Sequence, residues 1–377
     1  MKCSLTTIVT AVLLIQHANG NRIPPFISNW WQQPLNAAMP VKTPKLQHQD
    51  LPTAEDALFG GIATFAHLPY EMCWQPDSKF DIAFVGAPFD TSTSYRPGAR
   101  FGPSAIREGS RRTILSGGYN VPLDVNPFTD WAKIVDCGDL KLTPFDNERA
   151  IKGIQLGYQS LLYQSPFNEK AKFPRLITLG GDHTITLPIL RSIHSVYGPV
   201  SVIHFDSHLD TWSPYYTEHD HNLNHGTYFY YASKEGLIKK GESIHAGIRS
   251  PIADINDYKN DDEVGFTRID ARDIDDIGTD GIIKKIRKTV GNNYVYLSLD
   301  IDVLDPAFSP GTGTPETGGW TTRELRRILR GLDGLKIVGA DLVEVSPPYD
   351  TNGQITALAA ADAIFEILGI MVKTPVV

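Results

Sequence analysis

The sequence predicts an α/β protein built on a parallel sheet with helices on both faces, and three observations carry that prediction. Apolar runs of strand length alternate with longer segments of helical period. The runs are nearly continuous in apolar character, as expected of strands covered on both faces. Residues able to hold metal ions recur just after those runs, where open sheets of this kind bind their ligands.

In chain order, the first twenty residues, "MKCSLTTIVTAVLLIQHANG", set Lys2 before an apolar stretch and end on Ala18 and Gly20 at a small-x-small cleavage site. This is the pattern of a secretory signal peptide over residues 1–20, which implies secretion or a secretory-pathway lumen, with an uncleaved anchor as the alternative. The stretch from Leu5 to Ile15 is too short to span a bilayer, and no later segment is expected to span one. Residues 21–75, rich in Pro, Gln and Trp, read as an extension with one helix around "AEDALFGGIATF", able to pack on a neighbouring subunit. Residues 76–377 read as one domain. There "DIAFVGA", "WAKIVDCG", "RLITLGG", "VSVIHFD", "SIHAGI", "VGFTRID", "YVYLSLDID" and "KIVGADLVEV" are the strands, and "SAIREGSRRTIL", "DNERAIKGIQLGYQSLLY" and "TTRELRRILRGL" are among the helices.

Composition narrows the function. The 377 residues carry a formal charge of −8 and no long basic run, which excludes a nucleic-acid surface or a polybasic membrane patch. The expected partner is a small molecule, and a cationic one suits the charge. Cys3 would leave with the signal, so only Cys73 and Cys137 could pair in an oxidising compartment. No N-x-S/T sequon supports the secretory reading.

Three strand ends bring ligand chemistry. "ITLGGDHTITLP" uses Gly180 and Gly181 as a tight turn before Asp182 and His183; "HFDSHLD" sets Asp206, His208 and Asp210 at alternate positions; "YLSLDIDVLDP" does the same with Asp300 and Asp302. Residues two apart on an extended segment share a face, so these side chains converge. Carboxylates packed that closely repel unless cations neutralise them, and four carboxylates with two imidazoles and no thiolate suit manganese or a similar divalent ion. His204, deeper in its strand, reads as a packed or supporting residue, and Asp182 and Asp305 as turn or capping carboxylates.

"GGDHT", "DSHLDT" and "SLDIDVLDPAFSPGTGTPETGG" resemble, in order, the signature segments of the ureohydrolase family, which includes arginase, agmatinase and guanidinobutyrase. The resemblance spans about residues 80–370. It implies a three-layer α/β/α fold around a mainly parallel eight-stranded sheet, two Mn2+ per subunit bridged by hydroxide, and a trimer or hexamer. By position, His183, Asp206, Asp210 and Asp300 would hold one metal and Asp206, His208, Asp300 and Asp302 the other. The hydroxide would attack the guanidinium carbon, with Asp210 orienting it. His225 of "NHGTYFYYA" would donate a proton to the leaving amine, and Glu344 of "DLVEVSPPYD" would pair with guanidinium nitrogens; both would bind substrate.

Within the family, "GAPFDTSTSYRPGARFGPSAIR" is more similar to agmatinases than to arginases, although the same residues, Arg107 among them, can simply shape a loop and helix start. Agmatine is therefore the expected substrate, with 4-guanidinobutyrate next and arginine third. A guanidine-binding protein without turnover is the alternative of another class. The loop "TWSPYYTEHDHNLN" differs from arginase, and Trp212, Tyr215, Tyr216, Glu218 and Asp220 are candidates for reading the far end of the substrate.

Overall fold

A computed structural model describes residues 59–113, 117–214 and 223–377. The signal segment, the extension up to residue 58 and the loop residues Tyr215, Tyr216, Glu218 and Asp220 lie outside the described residues. Eight strands form one sheet: β1 (Ile82–Ala87), β2 (Ile134–Asp139), β3 (Arg175–Gly180), β4 (Ser201–Phe205), β5 (Ser243–Ile248), β6 (Phe266–Asp270), β7 (Tyr294–Asp300) and β8 (Lys336–Val343). Their order is β2-β1-β3-β8-β7-β4-β5-β6, with every pairing parallel.

The helices are α1 (Gly102–Gly109), α2 (Asn147–Leu162), α3 (Thr186–Tyr197), α4 (Tyr228–Lys234), α5 (Ile255–Val264), α6 (Asp273–Val290), α7 (Thr322–Arg330) and α8 (Ile355–Lys373). Strand alternation divides the core between the two faces. Phe84, Ile177, Ile203 and Leu297 join Ile106, Ile286, Leu325 and Ile364 from α1, α6, α7 and α8. Their neighbours Val85, Leu176, Val202 and Tyr296 join Ile154, Ile189 and Phe229 from α2, α3 and α4. Both faces being covered, the strands need no polar side, and this is the three-layer architecture.

Three expectations change. The compact unit starts at Leu58, not residue 76. Phe65 stacks on Phe84 at 4.4 Å, Phe65 and Cys73 are buried, and Cys73 forms a disulfide with Cys137 of β2, so this stretch belongs to the core. Of the helix expected around residues 54–65, the described part is a turn and bends leading into a single 3-10 turn, Phe65–His67. Finally, α8 is long and apolar enough to cross a membrane, with 19 residues and a mean hydropathy of 2.0. Its apolar surface is taken up instead by the sheet, α1 and α7, and 78% of that window is buried.

Candidate metal centre

The site lies at the carboxyl ends of β3, β8, β7 and β4, four strands adjacent in the sheet. His183 opens a 3-10 turn after β3, capped by the Asp182 carboxylate accepting from Thr184 N. The two preceding glycines are not in left-handed conformations, so a turn of that kind is not their role. A Cβ on Gly181 would lie 1.9 Å from the carbonyl oxygen of Phe89, so backbone crowding demands the glycine. Asp206 follows β4, Asp300 ends β7, and Asp302 is in the 3-10 turn after it. Asp210 and Glu344 both have positive φ, 58° and 60°, a conformation rarely adopted by residues with a Cβ and one that clusters at functional sites.

These ends bring all six predicted ligands together. His183 Nδ1 lies 3.1 Å from Asp206, 3.2 Å from Asp210 and 3.3 Å from Asp300, measured to Oδ2 of each. His208 Nδ1 lies 3.2 Å from Asp206 Oδ1 and 3.1 Å from Asp302 Oδ2. Two donor groups result, one of His183, His204, Asp206 and Asp210 and one of Asp206, His208 and Asp302, sharing Asp206. Asp300 faces the first group through Oδ2 while its Oδ1 accepts from Asp302 N at 2.8 Å.

The hydrogen-bond network shows that these donors fit a cation. Ser298 Oγ donates to Asp341 Oδ1 at 2.7 Å, so it accepts from His183 Nε2, also at 2.7 Å. In a neutral ring, His183 Nδ1 then carries no hydrogen and turns its lone pair to three carboxylate oxygens. It is a buried atom without a hydrogen-bond partner, and so is Asp206 Oδ2 beside it. Orphaned atoms of this kind are costly, and a divalent ion between them satisfies both. Asp341, which also accepts from Tyr296 and Thr186, fixes the His183 tautomer from behind.

Without that ion, the crowding spreads the acidities apart. Burial and the charge of Asp206 raise Asp210 to about 6. Burial, with Asp302 and Asp206, raises Asp300; burial and Asp206 raise Asp302. Asp206, despite burial, is held below the usual range by His204, His183 and His208. Burial lowers His204 to about 3, so this ring is neutral in its supporting place 2.9 Å from Asp206.

The two other predicted residues meet over the donors. His225 Nδ1 is 3.1 Å from Glu344 Oε1, which also accepts from His183 N at 2.9 Å. Glu344 Oε2 is buried without a partner. Against the cost of burial, the Glu344 hydrogen bond and the charges of Glu344, Asp182 and Asp210 raise His225 to about 9. On the opposite edge Ser94 N donates to His225 Nε2 at 2.9 Å, which favours the neutral ring. The two influences oppose each other, and the Ser94 hydroxyl, 2.7 Å from Nε2, can turn to serve either state.

A cavity of about 430 Å³ opens onto this arrangement, lined by His208, Asp210, Asp300, His225, Trp212 and Asp257 among others. Among the described residues, no lysine or arginine lines it. Asp182 and Asp305 are capping carboxylates as expected, Asp305 accepting from Ala307, Gly318 and Gly319. Arg107 of α1 forms a buried two-pronged pair with Asp136. Sequence reasoning missed Ser94, Asp257 and the Ser298–Asp341 support, although a serine and an aspartate inside two otherwise apolar strands were a usable signal.

Comparison with known proteins agrees with this geometry. The Arginase family matches residues 80–369. The protein named "Putative agmatinase 1" of Schizosaccharomyces pombe is 61% identical over 338 residues, 86% of each chain. A guanidinobutyrase of Pseudomonas aeruginosa is 39% identical over 324 residues, 86% of this chain and 97% of its own length. The structure of proclavaminate amidino hydrolase from Streptomyces clavuligerus superposes with a TM-score of 0.75 at 38% identity, covering 84% of this chain and 99% of that one. With the parallel eight-stranded sheet, the paired donor groups and these matches in hand, the chain belongs to the arginase family.

Proposed function

We propose that the chain is a binuclear manganese ureohydrolase that hydrolyses agmatine to putrescine and urea. The observation carrying this reading is His183 Nδ1, buried without a hydrogen-bond partner among three carboxylates, beneath a glutamate and a histidine able to handle a guanidinium. His183, Asp206, Asp210 and Asp300 would hold one ion, and Asp206, His208, Asp300 and Asp302 the other. When bound, such a pair of ions supplies a nucleophile derived from water near neutral pH and stabilises developing negative charge. Oxygen and nitrogen donors without thiolate favour manganese over structural zinc.

The chain's own residues do the remaining work. The unpartnered Glu344 Oε2 accepts from a guanidinium N–H and fixes the plane of the substrate. Asp210, on the donor side of the same cavity, accepts a hydrogen bond from the attacking group and orients it. His225 holds a proton between Glu344 and Ser94 and passes it to the departing amine, which is a poor leaving group without one.

Agmatine is favoured over 4-guanidinobutyrate by the cavity wall. Asp257 is acidic, and the described lining has no lysine or arginine to receive a carboxylate. The relative named agmatinase is also the more similar one. Urea release from agmatine, guanidinobutyrate and arginine with Mn2+ present tests the reading. Agmatine should give the highest kcat/KM, and release from arginine alone would overturn it.

The enzyme is further proposed to be secreted or lumenal and to assemble as a trimer or hexamer. The Cys73–Cys137 disulfide and the first twenty residues support an oxidising compartment. N-terminal sequencing of protein from culture medium tests export. Light scattering tests assembly, where a monomer at micromolar concentration would refute it.

A further inference from the structure

We propose that Asp261 is a positioning residue for the metal centre, holding Asp210 and Asp206 in place from a helix that contributes no ligand of its own. Asp261 lies in α5 and is fully buried. Its Oδ1 accepts from Thr211 Oγ1 at 2.9 Å and from His245 Nε2 at 3.0 Å, and its Oδ2 accepts from Arg268.

The first arm runs to Asp210. Thr211 is the next residue, and the side chain of Asn260 also donates to its carbonyl. Successive residues of α5 thus grip Thr211 at both its hydroxyl and its main chain. Asp210 has a left-handed φ of 58°, a conformation unfavourable for a residue with a Cβ that persists only where the surroundings enforce it. Thr211 is where α5 applies that enforcement.

The second arm runs to Asp206 through two rings. His245 and His204 lie opposite each other in the β4–β5 register, with their Nδ1 atoms 2.7 Å apart. His245 Nε2 lies on Asp261 at 3.0 Å, and one hydrogen between the two Nδ1 atoms joins the rings. His204 Nε2 in turn lies 3.2 Å from the Tyr228 hydroxyl and 2.9 Å from Asp206 Oδ2. Asp261 therefore fixes the place of the His245 ring and, through it, that of the His204 ring beside Asp206. Without Asp261 the pair of rings loses the anchor that holds it there.

An asparagine at 261 turns its single oxygen to the Arg268 guanidinium, the strongest donor around it, and so presents an NH2 group to Thr211 and His245 in place of an acceptor. The test is Mn2+ binding to metal-stripped protein by calorimetry, alongside the melting temperature of the metal-free form. Asp261→Asn should weaken Mn2+ binding about 10- to 100-fold. Arg268→Gln breaks the ion pair but leaves both arms, so it should lower the melting temperature with Mn2+ affinity unchanged. A loss of threefold or more in Asp261→Asn that is absent in Arg268→Gln supports the proposal; a smaller loss, or an equal one in both, overturns it. If Asp261→Asn does not fold, Thr211→Val decides by the same threefold margin. The readout is Mn2+ alone, so it stands whichever guanidino compound is the substrate.

Discussion

Asp136, within β2, and Asp206, just past β4, are both fully buried carboxylates, yet they are treated in opposite ways. Each oxygen of Asp136 accepts twice: Oδ2 from Phe65 N and Arg107 Nε, Oδ1 from Arg107 Nη2 and Gly138 N. Asp206 Oδ2 is left with no donor, among further carboxylates. Protein atoms alone complete the first cluster, whereas the second turns an oxygen without a donor toward further ligand-type side chains. Burial of charge therefore does not distinguish structure from function, but incomplete partnering does.

The two clusters should respond oppositely to the same substitution. Asp206→Asn should abolish urea release, by ~10³-fold or more, because the oxygen shared by both donor groups is lost. The metal-free form of Asp300→Asn, by contrast, should melt no lower than wild type, since a buried carboxylate repelled by Asp302 and Asp206 has been neutralised. A large fall in its melting temperature would break the contrast. Asp136→Asn should destabilise the fold by about 3–5 kcal/mol by leaving Arg107 buried and half-paired, with kcat per folded molecule retained. Denaturant titration of metal-free Asp300→Asn and Asp136→Asn reads the two signs directly.

Between those extremes, His225→Asn should lower kcat on the order of 10²-fold without changing the Mn2+ content, as expected of a proton donor that is not a ligand. Loss of manganese in that variant would put His225 on the metal side of the division. Asp257→Asn should have the smallest effect, about tenfold or less in kcat/KM for agmatine with little change for guanidinobutyrate. An equal fall on both compounds would mean that Asp257 shapes the wall without reading charge.

The same contrast explains what could be read from the chain alone. All eight strands were legible because a sheet covered on both faces leaves uninterrupted apolar runs, and the ligands because alternation at a strand end is a local rule. Glu344 and His225 entered through resemblance, and the structure brings them together across a separation of more than a hundred residues. Asp261 was invisible for a different reason. It lies in "NDYKNDDEV", among six other polar or charged residues on a short helix, where nothing local separates a buried hub from the solvated face. The covering of the sheet edge by residues 64–73 was missed because short, aperiodic segments carry no repeat to detect.

The disulfide joins residues 64 positions apart and so encloses β1 and the exposed turns around Tyr95 and Val121, which are 65% and 74% accessible. Those turns are natural points of attack for a protease. A single cut anywhere between Cys73 and Cys137 would leave two pieces still covalently joined, with Ser94 still tethered beside His225. Damage of that sort would show as two bands only after reduction, so the bond gives the molecule tolerance to nicking as well as stability.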